Sequence, residues 1–162
     1  MERLWAPWRL EYITKEKPAG CIFCDKPKAD DDRTNYIVHR GTDAYVILNA
    51  FPYNNGHIMV APYEHIADLE ALPPDTVHEM MDLAQLATRA LKGSFSPDGL
   101  NLGFNLGAAA GAGIKDHLHL HLVPRWVGDT NFMPVIGDVR VIPESLEQTY
   151  DKLSEAFKSL TT

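Results

Sequence analysis

Cysteine is nearly missing from this sequence: Cys21 and Cys24 are the only two, and both stand in one short stretch, CIFC. A disulfide-stapled scaffold is thereby excluded, and Cys-x-x-Cys remains as a redox pair, half of a metal site or idle thiols. A redox pair needs a helix start within a βαβ unit. After CIFC the chain runs DKPKADDD, so zinc is the favoured reading, and it requires two more ligands. Long apolar runs are missing too: none approaches the roughly 18 residues of a membrane span. The opening MERLWAPWRLEYI interrupts its apolar residues with Arg3, Arg9 and Glu11 and gathers no signal-peptide core. The expectation is a cytoplasmic protein without a membrane partner, with Trp5 and Trp8 on an arm that folds over its own core or a partner subunit.

Positive charge is scarce. Fifteen Lys and Arg against 22 Asp and Glu give a formal net charge of −7, and the one dense charge run, Asp30-Asp31-Asp32, is acidic. No nucleic-acid partner is expected, because such a groove needs clustered cations to release counterions. A polyphosphate would have to be held locally by backbone N–H groups, imidazoles, cations such as Lys115 or Arg125, or a Mg2+ that arrives with it. The 162 residues, 45% hydrophobic, can bury a core unaided and are expected to form a single domain: an arm over 1–20, a core over 21–125 and a C-terminal extension over 126–162.

What is present is periodicity. YIVHR (36–40) and AYVILNA (44–50), separated by Gly41-Thr42-Asp43, read as a hairpin, and HIMVAPY (57–63) is a third strand after the loop FPYNNG. Val77, Met80, Met81, Ala84, Ala87 and Leu91 recur at helical spacing, with Thr76 and Glu79 as a capping box at the start and Gly93 as the stop. LNLGFNLG (100–107) is a fourth strand, followed by the loop AAAGAG. The last helix, about 144–159, carries an apolar stripe of Leu146, Tyr150, Leu153, Phe157 and Leu160. The fold class is α+β: an antiparallel sheet of about five strands, one long central helix and a C-terminal helix.

The remaining strand, DHLHLHLVPRW (116–126), places His117, His119 and His121 at every second position with leucines between them. Alternation puts the imidazoles on one face about 7 Å apart and the leucines in the core. Three readings are open at this point. The face is a solvated one; it supplies ligands to a catalytic metal; or a neutral imidazole attacks phosphorus while its other nitrogen is held by an acceptor. His119, with a neighbour on each side, suits the last.

HLHLHLV resembles the His-φ-His-φ-His-φ-φ signature of the histidine triad (HIT) superfamily of nucleotide hydrolases and transferases, φ being apolar. NAFPYNNGHIMVAP (49–62) is similar to that family's second motif. The resemblance implies a HIT fold, a homodimer in which two sheets meet, and a purine nucleotide or dinucleoside polyphosphate as ligand. It makes His119 the nucleophile that forms a nucleotidyl-histidine, with His121 on the α-phosphate and the main chain at His117 fixing the His119 tautomer. It assigns Asn49 to the ribose hydroxyls, Asn105 to a phosphate, and His57 to a place beside the active strand. The family's usual Gln or Ser before the triad is absent from GAGIKD, so backbone N–H groups of Gly111 to Gly113 are the candidates to cradle phosphates there. By the same resemblance, which extends to galactose-1-phosphate uridylyltransferases, Cys21, Cys24, His65 and His117 form a closed structural zinc site.

ERLWAPWRLEYI at the start, with HLHLHLVPRWVGDTNFMPVI and RVIPESLEQTYDKL at the end, resembles the bacterial diadenosine-tetraphosphate phosphorylase (ATP adenylyltransferase) group of the superfamily. That implies cleavage at the α-phosphate of a dinucleoside polyphosphate, resolved by phosphate. Hydrolysis by water, a nucleotide-binding module with little turnover and a triple-histidine metalloenzyme are the alternatives.

Overall fold

The computed structural model describes residues 20–129 and 142–162. Trp5, Trp8 and the rest of the arm through residue 19, together with 130–141, lie outside the described residues. Five strands, β1 (Ile37–Arg40), β2 (Ala44–Leu48), β3 (Ile58–Pro62), β4 (Gly99–Phe104) and β5 (Leu120–Arg125), make one sheet in the order β1-β2-β3-β5-β4. Every pairing is antiparallel. The α-helices among the described residues are α1 (Ile22–Asp25), α2 (Asp32–Asn35), α3 (Pro74–Phe95) and α4 (Leu146–Thr161). Among the described residues no helix is long and apolar enough to cross a membrane.

Strand alternation divides the interior in two. Val46, Leu48, Ile58, Val60, Leu118, Leu120 and Leu122 meet α3 through Met80, Leu83, Ala87 and Leu91, and α4 through Leu153 and Phe157. Each of the large apolar side chains fully withdrawn from water there contributes about 1.5–3 kcal/mol. The opposite face carries a smaller cluster of Phe23, Ile37, Tyr45, Ile47, Met59 and Ala61, and the triad histidines share that face. β4 pairs only with β5, which leaves its outer edge open among the described residues.

Four sequence expectations need correction. β5 begins at Leu120, so His117 and His119 precede the ladder. The register of Val60 with Leu120 would set Pro62 opposite Leu118, and proline has no N–H to donate. Leu118 N–H donates instead to the Ile66 carbonyl at 2.7 Å. The capping box at Thr76 and Glu79 does not form, because α3 starts earlier, at Pro74. Glu79 reaches out of the helix and accepts from the backbone N–H groups of Thr42 (2.7 Å), Asp43 and Ala44 (2.8 Å), tying the β1–β2 turn to α3. Nor does Gly93 stop α3, which runs to Phe95 and ends on left-handed Ser96 (φ 45). In α4 the capping box is made by Ser145 and Gln148, and the fully buried positions are Thr149, Leu153 and Phe157 while Leu160 is exposed.

Candidate active site and metal cluster

His119 is buried at 7% exposure beside the β3–β5 seam. Its Nδ1 lies 2.8 Å from the His117 carbonyl. A carbonyl only accepts, so Nδ1 carries the proton and the lone pair sits on Nε2. Burial lowers the His119 pKa against the opposing pull of that carbonyl bond, so the neutral, nucleophilic ring is favoured.

His121 is governed by a longer relay. Tyr53 N–H donates to His57 Nδ1 at 3.0 Å, which leaves the proton of a neutral His57 on Nε2. His57 Nε2 lies 2.9 Å from His121 Nδ1 and donates to it, so the His121 proton must be on Nε2. Burial, with the nearby His119 ring adding to it, pushes the His121 pKa down to about 4. The result is a pair of adjacent neutral rings of opposite tautomer, centroids 4.8 Å apart: His119 with an Nε2 lone pair and His121 with an Nε2–H.

The other expected residues are distributed around this pair. Asn49 Oδ1 accepts from Phe51 N–H at 2.9 Å, which turns its Nδ2 toward His57 Nδ1 at 3.3 Å. His57 is 1% exposed and its nitrogens face Tyr53, Asn49 and His121, so it holds His121 rather than presenting itself to a ligand. Asn105, just after β4, brings its amide to 3.5 Å from His121 Nε2, and a half-turn of that amide presents Oδ1 to the N–H. Gly111, at φ 86, and Gly113 are exposed, with open space where a Cβ would be, so an anion can approach their main chain.

His117 faces elsewhere. Its Nε2 donates to the Pro62 carbonyl at 2.9 Å, which leaves an unprotonated Nδ1. That Nδ1 meets Cys21 Sγ at 3.3 Å, Cys24 Sγ at 3.5 Å and His65 Nδ1 at 3.2 Å, and His65 Nδ1 is 3.3 Å from Cys24 Sγ. Tetrahedral zinc with ordinary bond lengths would put nitrogens about 3.3 Å apart and sulfur about 3.6 Å from nitrogen. Burial, then the adjoining Cys21 thiol, raise the Cys24 pKa, so a thiolate at Cys24 calls for a cation beside it. The donor set therefore fits a closed Cys2His2 centre. Cys21 caps α1 and Cys24 lies within it, and Phe23 between them packs on two of the three triad rings, at 5.2 Å from His117 and 4.7 Å from His119.

Residues 32–127 match the HIT domain family. The chain belongs to the HIT family. It is 40% identical over 158 residues to a Mycobacterium tuberculosis protein called AP-4-A phosphorylase, the match covering 92% of this chain and 80% of that one. A zinc-bound histidine triad family protein from Mycobacterium smegmatis shares 31% identity and a TM-score of 0.69, covering 88% of this chain and 96% of that one. A hypothetical histidine triad nucleotide-binding protein from Sulfolobus tokodaii shares 28% identity and a TM-score of 0.70, covering 87% and 94%.

The HIT triad is thus divided by the fold: His117 points to the cysteine cluster, and His119 and His121 point to the candidate active site. Two contributors were not visible to sequence reasoning. Phe23 stands in CIFC between two cysteines whose spacing points to a metal, and nothing in that stretch says which ring the phenyl side chain will meet. The Tyr53 main-chain donor left no signal at all, since any residue there has an N–H.

Proposed function

We propose that this HIT protein is a nucleotidyl transferase that cleaves dinucleoside polyphosphates, foremost diadenosine tetraphosphate, at the α-phosphate, with phosphate resolving a covalent intermediate. The observation that carries the reading is the 2.8 Å bond from His119 Nδ1 to the His117 carbonyl, which frees the Nε2 lone pair for attack. The 40% identity to an AP-4-A phosphorylase supports the substrate class.

In the first step the His119 Nε2 lone pair forms a bond to the α-phosphorus, and the bond from phosphorus to the bridging oxygen breaks, releasing ATP. The positive charge gained by the ring is stabilised through Nδ1–H by the His117 carbonyl. In the second step an oxygen of inorganic phosphate attacks the same phosphorus, the N–P bond breaks, ADP leaves and His119 returns to its starting state. His121 Nε2–H neutralises a non-bridging oxygen throughout, Asn49 binds the ribose hydroxyls, and Asn105 with the Gly111–Gly113 main chain holds the phosphates. Leaving-group charge falls to those backbone donors, as GAGIKD offers no hydroxyl or amide side chain.

Zinc held by Cys21, Cys24, His65 and His117 would supply structural cross-linking rather than a reaction step. Those four form the one group of three or more His, Cys, Asp or Glu converging for a metal among the described residues. Mg2+ would therefore enter with the polyphosphate as its principal ligand. The open edge of β4 supports a homodimer in which two sheets meet.

The test is incubation with diadenosine tetraphosphate with and without inorganic phosphate. Phosphate-dependent release of ADP plus ATP supports phosphorolysis. AMP plus ATP replaces it with hydrolysis, and no turnover leaves a binding module. His119→Ala should abolish turnover and keep nucleotide affinity within about tenfold, because binding rests on contacts made elsewhere.

A further inference from the structure

Asn54 and Asn55 precede Gly56 and His57 in the β2–β3 loop, and each is gripped by a carboxylate from the far end of the chain. Asn54 Nδ2 donates to Asp129 Oδ2 at 2.8 Å and to the Pro124 carbonyl at 3.1 Å. Asn55, 9% exposed, donates from Nδ2 to Glu144 Oε2 at 3.3 Å. The Thr149 hydroxyl lies 3.3 Å from that same Glu144 oxygen and 3.5 Å from Asn55 Oδ1. Lys152 completes the group by pairing with Glu144 while its ammonium sits 5.5 Å over the Phe95 ring. Gly56 has little room for a side chain: at φ 74, a Cβ there would meet the Phe95 ring at 3.2 Å and Pro124 at 3.3 Å. The Asn54 carbonyl then takes His57 N–H at 3.2 Å.

The loop whose Tyr53 N–H sets the His57 tautomer is therefore fastened to α4 and the turn before it. Glu144, Thr149 and Lys152 all lie beyond residue 127, where the family match ends. Asn55 is nearly buried, so losing Glu144 would leave its Nδ2 donor without that acceptor, and the loop could recover one only by shifting. A shift of about 1 Å at a hydrogen-bonded relay is enough to misdirect its last donor.

We propose that Asn55, Glu144 and Thr149 are positioning residues: through them α4 holds the β2–β3 loop, fixes the His57–His121 hydrogen bond and keeps the His121 Nε2–H aimed at the phosphate. The kinetic half of this rests on the function proposed above. The tautomer half does not.

The experiment combines kinetics with ring-nitrogen NMR of 15N-histidine-labelled full-length protein. In the unsubstituted protein His121 should appear as a single Nε2–H tautomer. Asn55→Ala and Glu144→Ala should each convert it to a mixture and lower kcat on diadenosine tetraphosphate roughly ten- to a hundredfold, with KM within about threefold. Glu144→Gln, whose amide oxygen still accepts from Asn55, should restore the single tautomer and most of kcat. The double variant Asn55→Ala/Glu144→Ala should be no slower than either single one, because both remove one linkage. Asp151→Ala serves as control: it lies on the same helix, breaks the ion pair that α4 makes with Arg33 of α2, and should change neither reading. If Asn55→Ala does not fold, the near-isosteric Thr149→Val takes its place. A protein that turns over no dinucleotide still reports through its spectrum, which separates failure of the reaction from failure of the positioning. An unchanged His121 spectrum in the folded variants overturns the proposal, as does an Asp151→Ala spectrum altered to the same degree.

Discussion

The Phe23 ring lies against the His119 imidazole, centroids 4.7 Å apart and planes inclined at 31°. Phe23 is 1% exposed, and its carbonyl accepts the Tyr45 hydroxyl at 2.7 Å, so the residue is held at both its backbone and its ring. Because Cys21 and Cys24 flank it, the cluster that fastens α1 also seats the wall behind the candidate nucleophile.

Phe23→Leu should consequently reduce kcat by roughly tenfold with little change in KM, since a smaller side chain lets the His119 ring rock away from its in-line direction. Metal content should stay the same. Turnover equal to that of the unsubstituted protein would show that the ring of Phe23 is packing alone.

Zinc bound at the cysteine cluster should be recovered at one per chain in protein purified without chelator. Cys21→Ser should abolish that stoichiometry and lower the melting temperature, and activity should fall only as far as the strand carrying His119 loosens. Elemental analysis that finds no zinc would discard the closed site. Zinc released by His119→Ala but retained by Cys21→Ser would move the metal to the triad and favour a metalloenzyme.

Asn49→Ala should raise KM for ribonucleotide substrates by about ten- to a hundredfold, the effect of removing one partner of a buried sugar hydrogen bond. KM for the 2′,3′-dideoxy analogues should hardly change. A drop in kcat shared by both sugars is also expected, because Asn49 Nδ2 supports His57. Equal KM effects on the two would remove Asn49 from the ribose site.

Glu79 should make stability pH-dependent. Burial alone would raise its pKa, but the backbone N–H groups of Thr42, Asp43 and Ala44 outweigh that and the carboxyl is held below its ordinary value. The folded state thus binds the proton less well than the unfolded chain. The stabilisation is present above the unfolded value of about 4.3 and is lost as pH falls through the depressed folded value. Glu79→Ala should cost about 1–3 kcal/mol at pH 7. In urea unfolding the difference between the two proteins should shrink as pH drops below about 4.3, and a difference independent of pH would show that the charge of Glu79 is irrelevant.

Alternation by itself told which residues share a face: His117, His119 and His121 on one side, Leu118, Leu120 and Leu122 in the core on the other, and the structure keeps that division. The hairpin around Gly41-Thr42-Asp43 and the long helix from Val77 to Leu91 were legible for the same reason, because period and turn chemistry are properties of neighbouring residues. The spacing of Cys21 and Cys24 asked for two more ligands without naming them. His65 and His117 came from family resemblance, and only the fold brings their Nδ1 atoms to 3.2 Å. What Glu79 binds, why β5 starts at Leu120, which nitrogen of His121 bears the proton and how Glu144 reaches Asn55 were all decided by tertiary structure. Each depends on a hydrogen bond between residues far apart in the chain, and such a bond leaves no period in the sequence: its partner is selected by which strand lies alongside.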